Sequence, residues 1–339
     1  MLAQRYVFVE CSLAELPQFH WNKSLGLVID APLEAETDVQ RIIHGCRAVP
    51  KINPGITFLV DQLARQYMVR AHALGAETII PRPLQESTVF TVIDDMLVRA
   101  RKDIWSSQFG AEAAGLVAGT DVLENLFQFA VSGTKLTQYE LYDRGDTVID
   151  TLADTGLGRW VEAVKAHHSQ TFRHSLLVTG VAVGFGQHLG MRRDDLRRLA
   201  VSGLVHDIGK AAIPLSLLEK PGALTKDEVA IVRQHTTLGR DILLRQGGFT
   251  PEMIDVVTHH HEMLDGSGYP DGLAGNDIKD LVRVVTISDI FAALIEQRAY
   301  KLPMPNEVAY AHLSKMEGKL DMSLVDAFRP IAMETRLAA

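Results

Sequence analysis

Apolar residues along this chain change their spacing near residue 100. Before that point, short runs rich in β-branched and aromatic residues alternate with stretches of helical period. After it, the helical period holds almost to the end. The early runs are Arg5–Glu10, Leu25–Ile29, Ile56–Val60 and Thr78–Ile80, and each reads as a strand. Between them Glu34–Cys46 and Gln62–Leu74 have helical spacing, the second closed by Gly75. A further helix is expected from the Pro81-Arg82-Pro83 break to about Arg99. Strands alternating with helices predict a parallel sheet covered by helices, because parallel neighbours need crossover connections.

From Lys102 to Ala166 the period is helical, with breaks expected at Gly110, Gly119, Gly133, Gly145, Gly156 and Gly158. Leu176–Leu189 and Leu196–Val205 are apolar on more than one face, which places them inside a bundle. Thr225 followed by Glu228 is the signature of a capping box and predicts a helix over Lys226–Gln246. Met253–Glu262, Leu281–Gln297, Val308–Met316 and Leu324–Met333 are also helical in period. Asp265–Gly275, DGSGYPDGLAG, holds too much glycine for regular structure and reads as an ordered loop. The predicted architecture is an α/β domain over 1–101, a connecting helical region over 102–145 and an all-α bundle over 146–339.

Composition narrows the classes. The chain has 339 residues, 47% apolar and 22% charged, an ordinary globular balance. A net charge of −8 leaves no basic field to attract DNA or an anionic membrane surface. An anionic substrate would therefore need metal ions or a few placed cations. Cys11 and Cys46 have neither disulfide nor zinc spacing, which fits a reducing compartment. MLAQRYVFVE lacks the basic head and apolar core of a signal peptide, and no apolar run reaches the ~18 residues of a membrane span. The expected location is the cytoplasm.

The residues that carry chemistry gather in the helical half. His206-Asp207 sits in VHDIGK, with Lys210 three positions beyond the aspartate. His174 precedes it, and His235, His260, His261 and Asp289 follow. Any one such His alone reads better as a hydrogen-bonded core residue. Asp207 and Asp289 follow apolar helical stretches, however, and a buried carboxylate without a cation costs several kcal/mol. A metal ion removes that cost for the whole group. Five His and two Asp exceed the ligands of one tetrahedral site, and a carboxylate can bridge two ions where an imidazole cannot. Such mixed ligands suit iron, manganese, zinc or nickel better than magnesium. Two ions roughly 3.5–4 Å apart can share a hydroxide and clamp a phosphate for in-line attack.

The motifs HDIGK (206–210), KPGALT (220–225), HTTLG (235–239), HHEMLDGSGYPDGL (260–273), ISDIFAAL (287–294) and RAYK (298–301) come in a distinctive order. From about His174 to Lys301 the chain resembles the HD-GYP family, a branch of the HD phosphohydrolases whose members hydrolyse the bacterial second messenger cyclic di-GMP. The resemblance implies that His174, His206, Asp207, His235, His260, His261 and Asp289 bind two divalent transition-metal ions, with Asp207 bridging them. Iron or manganese is the first expectation, zinc or nickel the alternative. Lys210 would point its ammonium at the phosphate or the leaving oxygen. Gly268 and Tyr269 of the Gly268-Tyr269-Pro270 run would face the substrate, and Arg298 and Lys301 would hold its second phosphate. Blander readings compete: a helix-end cation for Lys210, a merely rigid loop for the glycines, an exposed helix end for Arg298 and Lys301. His259 adjoins the histidine pair, but successive helical residues diverge by about 100°, so three neighbours cannot aim at one centre. The family pattern selects 260 and 261, leaving His259 behind the ligands or exposed. Gln170 stands where some members carry a Glu that adds a third metal, while Met263 and Ala292 replace a common Arg and Asp.

GAETIIPRPL (75–84) resembles the end of a response-regulator receiver domain, with Arg82 at its Lys position. The first expected strand ends in Glu10-Cys11, without the acidic pair that holds magnesium in working receivers. The implied domain is a degenerate receiver, used as a docking or dimerising surface. Asp30 is read as a turn former, not a phosphoacceptor. The function expected is a cytoplasmic phosphodiesterase that cuts cyclic di-GMP to pGpG, with onward cleavage to GMP left open. Its partners would be cyclic di-GMP and a second copy or signalling protein, but neither DNA nor a membrane. A catalytically silent sensor and an HD hydrolase of another nucleotide are the alternatives.

Overall fold

Three strands of the N-terminal unit form one parallel sheet, in the order β1 (Gly26–Asp30), β2 (Gly55–Val60) and β3 (Thr78–Pro81). Helices α1 (Glu36–Arg47) and α2 (Arg65–Ala73) make the crossovers that parallel pairing demands. Alternation along β1 sends neighbouring side chains to opposite faces. Ile29 packs with Leu33, Ile42, Phe58, Val60 and Ala71, whereas Val28 packs against Ile93 and Met96. At the C-terminal strand ends, Arg82 Nη2 donates to both carboxylate oxygens of Asp30 at 2.7 Å, and its Nε lies 3.1 Å from Asp61.

The structure is a computed structural model that describes residues 9–12, 15, 26–30, 33, 36–47, 55–61, 65–85, 88–89, 92–93, 96, 100, 105–132, 135–165, 170–218, 220, 222–296 and 302–334. Of the strand expected over Arg5–Glu10, residues 5–8 lie outside that set, and the helix expected up to Arg99 is described only in fragments. The chain divides into two units, Met1–Gly110 and Ala111–Ala339. The stretch 102–145, expected as a connecting region, therefore joins the helical unit from residue 111 onward.

That unit contains α3 (Ala113–Ser132), α4 (Gln138–Thr155), α5 (Leu157–Lys165), α6 (Gln170–His188), α7 (Arg193–Val205), α8 (Leu215–Leu218), α9 (Lys226–Arg233), α10 (His235–Gln246), α11 (Pro251–His259), α12 (Asp280–Ile295), α13 (Asn306–Leu313) and α14 (Met322–Glu334). Helix α7 is buried continuously from Leu199 to Val205, and α12 buries eleven of its sixteen residues, as their all-round apolar character requires. Gly119, Gly145 and Gly158 do not break helices as expected. They lie inside α3, α4 and α5; a Cβ at Gly119 would come within 2.5 Å of the Leu176 side chain, so glycine there serves close packing.

The capping box forms as predicted, Glu228 N–H donating to Thr225 Oγ1 and Thr225 N–H to Glu228 Oε2. The helix it starts is shorter than expected. It stops at Gln234, whose N–H turns back to Ile231 and Val232, and α10 begins afresh at His235. Likewise α11 starts at Pro251 behind the N-cap Thr250 and ends at His259, before the Glu262 expected from periodicity.

Candidate metal centre

Helices α6, α7, α10, α11 and α12 bring all seven candidate ligands to one place. Their meeting point is Asp207, 3% exposed, in the turn after α7. Its Oδ2 lies 3.3 Å from His206 Nε2 and 3.8 Å from His174 Nε2; its Oδ1 lies 3.3 Å from His235 Nε2 and 3.9 Å from His260 Nε2. Asp289 sets Oδ1 3.0 Å from His174 Nε2 and Oδ2 3.8 Å from His261 Nδ1. Two groups able to hold an ion result, His174/His206/Asp207 and Asp207/His235/His260/His261, and Asp207 belongs to both.

The donor set fits divalent metal. Ligands about 2.1 Å from one ion and at right angles stand about 3 Å apart. His174 Nε2 to Asp289, His206 Nε2 to Asp207 and His235 Nε2 to His260 Nε2 span 3.0, 3.3 and 3.4 Å. His206 Nε2 and Asp207 Oδ1 are buried without a hydrogen-bond partner, a costly state that a cation would relieve. His206, His235 and His260 each hold Nδ1 against a carbonyl of the preceding helical turn: Gly203 at 2.8 Å, Val232 at 2.7 Å and Val257 at 3.1 Å. A carbonyl only accepts, so Nδ1 carries the proton and Nε2 keeps its lone pair for metal. The break at Gln234 therefore has a use, since it leaves the Val232 carbonyl at a helix end beside His235.

Electrostatics point the same way. Burial pushes the Asp207 carboxyl up, but Lys210 and His206 outweigh it and hold it well below the usual range. Asp289 is lowered too, because its hydrogen bond to His174 overcomes burial. Burial lowers the pKa of His235 and His260 and brings that of His261 to about 4. His174 differs: burial opposes its charge, yet the hydrogen bond to Asp289 and the nearby Glu296 carboxylate raise it to about 9. Lys210 Nζ, three residues after Asp207, sits 2.5 Å from Asp207 Oδ2.

Two glycines are needed here for close approach. A Cβ at Gly209 would fall 1.8 Å from His235 O, so only glycine lets the 208–212 turn seat against α10. A Cβ at Gly268 would fall 2.4 Å from Glu262 Cα. This contact presses the Gly268-Tyr269-Pro270 segment onto the histidine pair. The Tyr269 ring stacks 4.8 Å from the His261 ring, and the Arg233 guanidinium lies 4.7 Å above Tyr269. Buried Glu262 accepts from the N–H groups of Asp271, Gly272 and Leu273 at 2.7, 2.9 and 3.1 Å. His259 is not directed at the centre; Nδ1 meets Asp255 at 2.6 Å and Nε2 meets Asp271 at 2.9 Å, tying α11 to the loop. Arg298, Lys301 and the Gln170 side chain lie outside the described residues.

Residues 160–324 match the HD domain family. Within the helical unit this stretch is similar to HD domains, and its motifs resemble those of the HD-GYP branch. Over 247 residues the chain is 31% identical to the cyclic di-GMP phosphodiesterase response regulator RpfG of Xanthomonas campestris, covering 72% of this chain and 63% of that protein. It is 35% identical over 167 residues to a cyclic di-GMP phosphodiesterase of Thermotoga maritima, covering 49% and 45%. To 3'3'-cGAMP-specific phosphodiesterase 1 of Vibrio cholerae it is 36% identical over 165 residues, covering 48% and 38%. The chain thus spans between about two fifths and two thirds of the length of these relatives. Bd1817, an HDG"Y"P protein from Bdellovibrio bacteriovorus, shares the fold with a TM-score of 0.52 at 17% identity, over 79% of this chain and 81% of that one.

Sequence reasoning missed several residues that shape this site. Glu262 and Glu296 are buried, at 2% and 4% exposure. Their one signal was position: Glu262 follows the histidine pair, and Glu296 is the first ionisable residue after Asp289 in an apolar run. Arg233 and the Asp255–His259–Asp271 link gave no signal, because their partners come together only through folding.

Proposed function

We propose that this chain is a metal-dependent phosphodiesterase that hydrolyses cyclic di-GMP to pGpG. The observation that carries the reading is Asp207, one buried carboxylate shared by two imidazole groups beside a Gly-Tyr-Pro loop. Relatives named cyclic di-GMP phosphodiesterases support the substrate. His174, His206, Asp207 and Asp289 would hold one ion, and Asp207, His235, His260 and His261 the other. Iron or manganese suits these donors best, with zinc or nickel compatible. When bound, the two ions supply Lewis acidity and an activated water for in-line attack on phosphorus. Lys210, partly exposed beside Asp207, is placed to neutralise charge on a phosphoryl oxygen. Gly268 and Tyr269 border the substrate, and Arg298 and Lys301 take its second phosphate.

The N-terminal unit acts in this reading as a receiver-like module that docks a partner or a second copy. The RpfG match, longer than the helical unit, supports the kinship, and the Arg82 guanidinium already engages the Asp30 carboxylate. The setting is cytoplasmic, and among the described residues no helix is long and apolar enough to cross a membrane.

Manganese- or iron-loaded protein incubated with cyclic di-GMP should yield pGpG by chromatography, and folded Asp207→Ala should yield none. Intact substrate after incubation with fully metal-loaded wild type would overturn the proposal. A second reading, cleavage of 3'3'-cGAMP, is favoured by the similarity to Vibrio cholerae proteins named as specific for it. Rates on the two dinucleotides side by side decide between them.

A further inference from the structure

Three of the imidazoles, His206, His235 and His260, obtain their tautomer in the same way, from carbonyls in the last turn of α7, α9 and α11. Carbonyls in a helix's last turn lack the usual N–H four residues on, and so can accept from a side chain. His174 has no equivalent. It is the fifth residue of α6, where the carbonyls three and four positions back are engaged by the helix's own N–H ladder. Its ring is nonetheless buried, at 6% exposure, and its Nε2 faces Asp289 and Asp207. With no acceptor at Nδ1, the ring could place its proton on Nε2 and lose its use as a ligand.

Glu296, just past the end of α12, fills the gap. Its Oε2 lies 3.3 Å from His174 Nδ1, at ion-pair distance but without straight hydrogen-bond alignment. Its Oε1 lies 3.3 Å from Arg173 Nε. The glutamate side chain is 2% exposed, and a carboxylate so buried is costly unless partners such as the Arg173 guanidinium stand beside it. Asp289 and Glu296 stand seven residues apart, two turns of one helical path, and they grip opposite nitrogens of one ring. Outer carboxylates of this kind fix the orientation and basicity of a ligating histidine, and losing one typically lowers metal affinity about 10- to 100-fold.

We infer that Glu296 is the positioning residue of His174, and that it sets metal affinity selectively at the His174/His206/Asp207/Asp289 position. The inference rests on the two-ion reading of the centre. Helix α12 thereby contributes twice to one ion, once through Asp289 and once through the orientation of His174. Arg173, adjacent to His174, holds Glu296 in place.

The test is manganese binding to metal-free full-length protein, followed by elemental analysis and by competition with a chelator. Wild type should take up two ions per chain, and Glu296→Leu should retain one with unchanged affinity while the other weakens at least about tenfold. Glu296→Gln keeps the shape and an acceptor oxygen, so it should recover most of the lost affinity. If the leucine variant does not fold, Glu296→Ala, which also removes the acceptor, is measured in its place. In a His174→Ala background, Glu296→Leu should add no further loss, because the glutamate acts through that ring. Two ions bound by Glu296→Leu and Glu296→Gln with wild-type affinity would overturn the inference while leaving the two-ion centre intact. Equal weakening of both ions, or an additive loss in the His174→Ala background, would overturn it as well. Fewer than two ions on wild type would remove the two-ion reading and this inference together.

Discussion

Each unit of this chain sets an aspartate against a basic side chain, and the surroundings make the two pairs different objects. Asp30 is 58% and Arg82 39% exposed; their fork-shaped contact stands in water at the end of a sheet. Asp207 is 3% exposed and Lys210 27%, and the carboxylate is ringed by imidazoles. In the exposed pair, solvent screens the charges and leaves little net interaction. In the buried pair desolvation dominates, and one ammonium on Oδ2 leaves Oδ1 without a hydrogen-bond partner. A bare ion pair completes the first site but leaves the second in need of further cations. Burial makes the difference, since the charges are the same.

The contrast can be broken most directly at Asp207. Asp207→Asn should lower cyclic di-GMP hydrolysis by at least about 10³-fold, the upper end for loss of one electrostatic stabiliser. Metal content should fall at both positions; a variant that keeps both ions and its turnover would mean that Asp207 is not shared. Gly209→Ala comes next. Its methyl would overlap the His235 carbonyl, so a loss of about 2–4 kcal/mol is expected in urea unfolding. An unchanged midpoint would show that the turn does not seat against α10.

His259 sharpens the comparison because it is an intermediate case, with a side chain 15% exposed between Asp255 and Asp271. The hydrogen bond to Asp255 raises its pKa, burial opposes the rise, and Asp271 adds to it. A histidine whose folded pKa lies above its unfolded value of ~6.5 stabilises fully below that value. The contribution disappears as pH rises through the folded pKa. In metal-free protein, His259→Gln should therefore cost about 1 kcal/mol near pH 5.5, and melting curves of the two proteins should converge toward pH 9. A gap that widens with pH would reverse the assignment. The smallest effect belongs to the exposed pair: Asp30→Asn should shift stability by less than about 0.5 kcal/mol. A shift several times larger in chemical unfolding would mean that Asp30 is not the solvated partner described here.

Much of the site was legible because its residues interrupt a pattern. Asp207 and Asp289 stand out as charges in apolar helical stretches, and the Thr225/Glu228 box follows from a local spacing that caps a helix wherever it occurs. The break at Gln234 was not legible, since nothing in the helical period from Lys226 to Gln246 marks it. It becomes intelligible only beside the His235 ring that uses the Val232 carbonyl. Gly119 and Gly145 were read as breaks because glycine is a poor helix former, but packing against other helices overrode that propensity.

By itself the sequence determined the kinds of ligand, their order, the helices that carry them and the glycine-rich loop beside them. These follow from periodicity and local chemistry, which depend on residues a few positions apart. Only the tertiary structure decided which oxygen of Asp207 faces which imidazole, how Glu262 holds the loop, and that Glu296 reaches back to His174 from far along the chain. Such contacts depend on how helices pack, because a buried polar atom takes the partner that folding brings within about 3 Å, wherever that partner lies in the sequence.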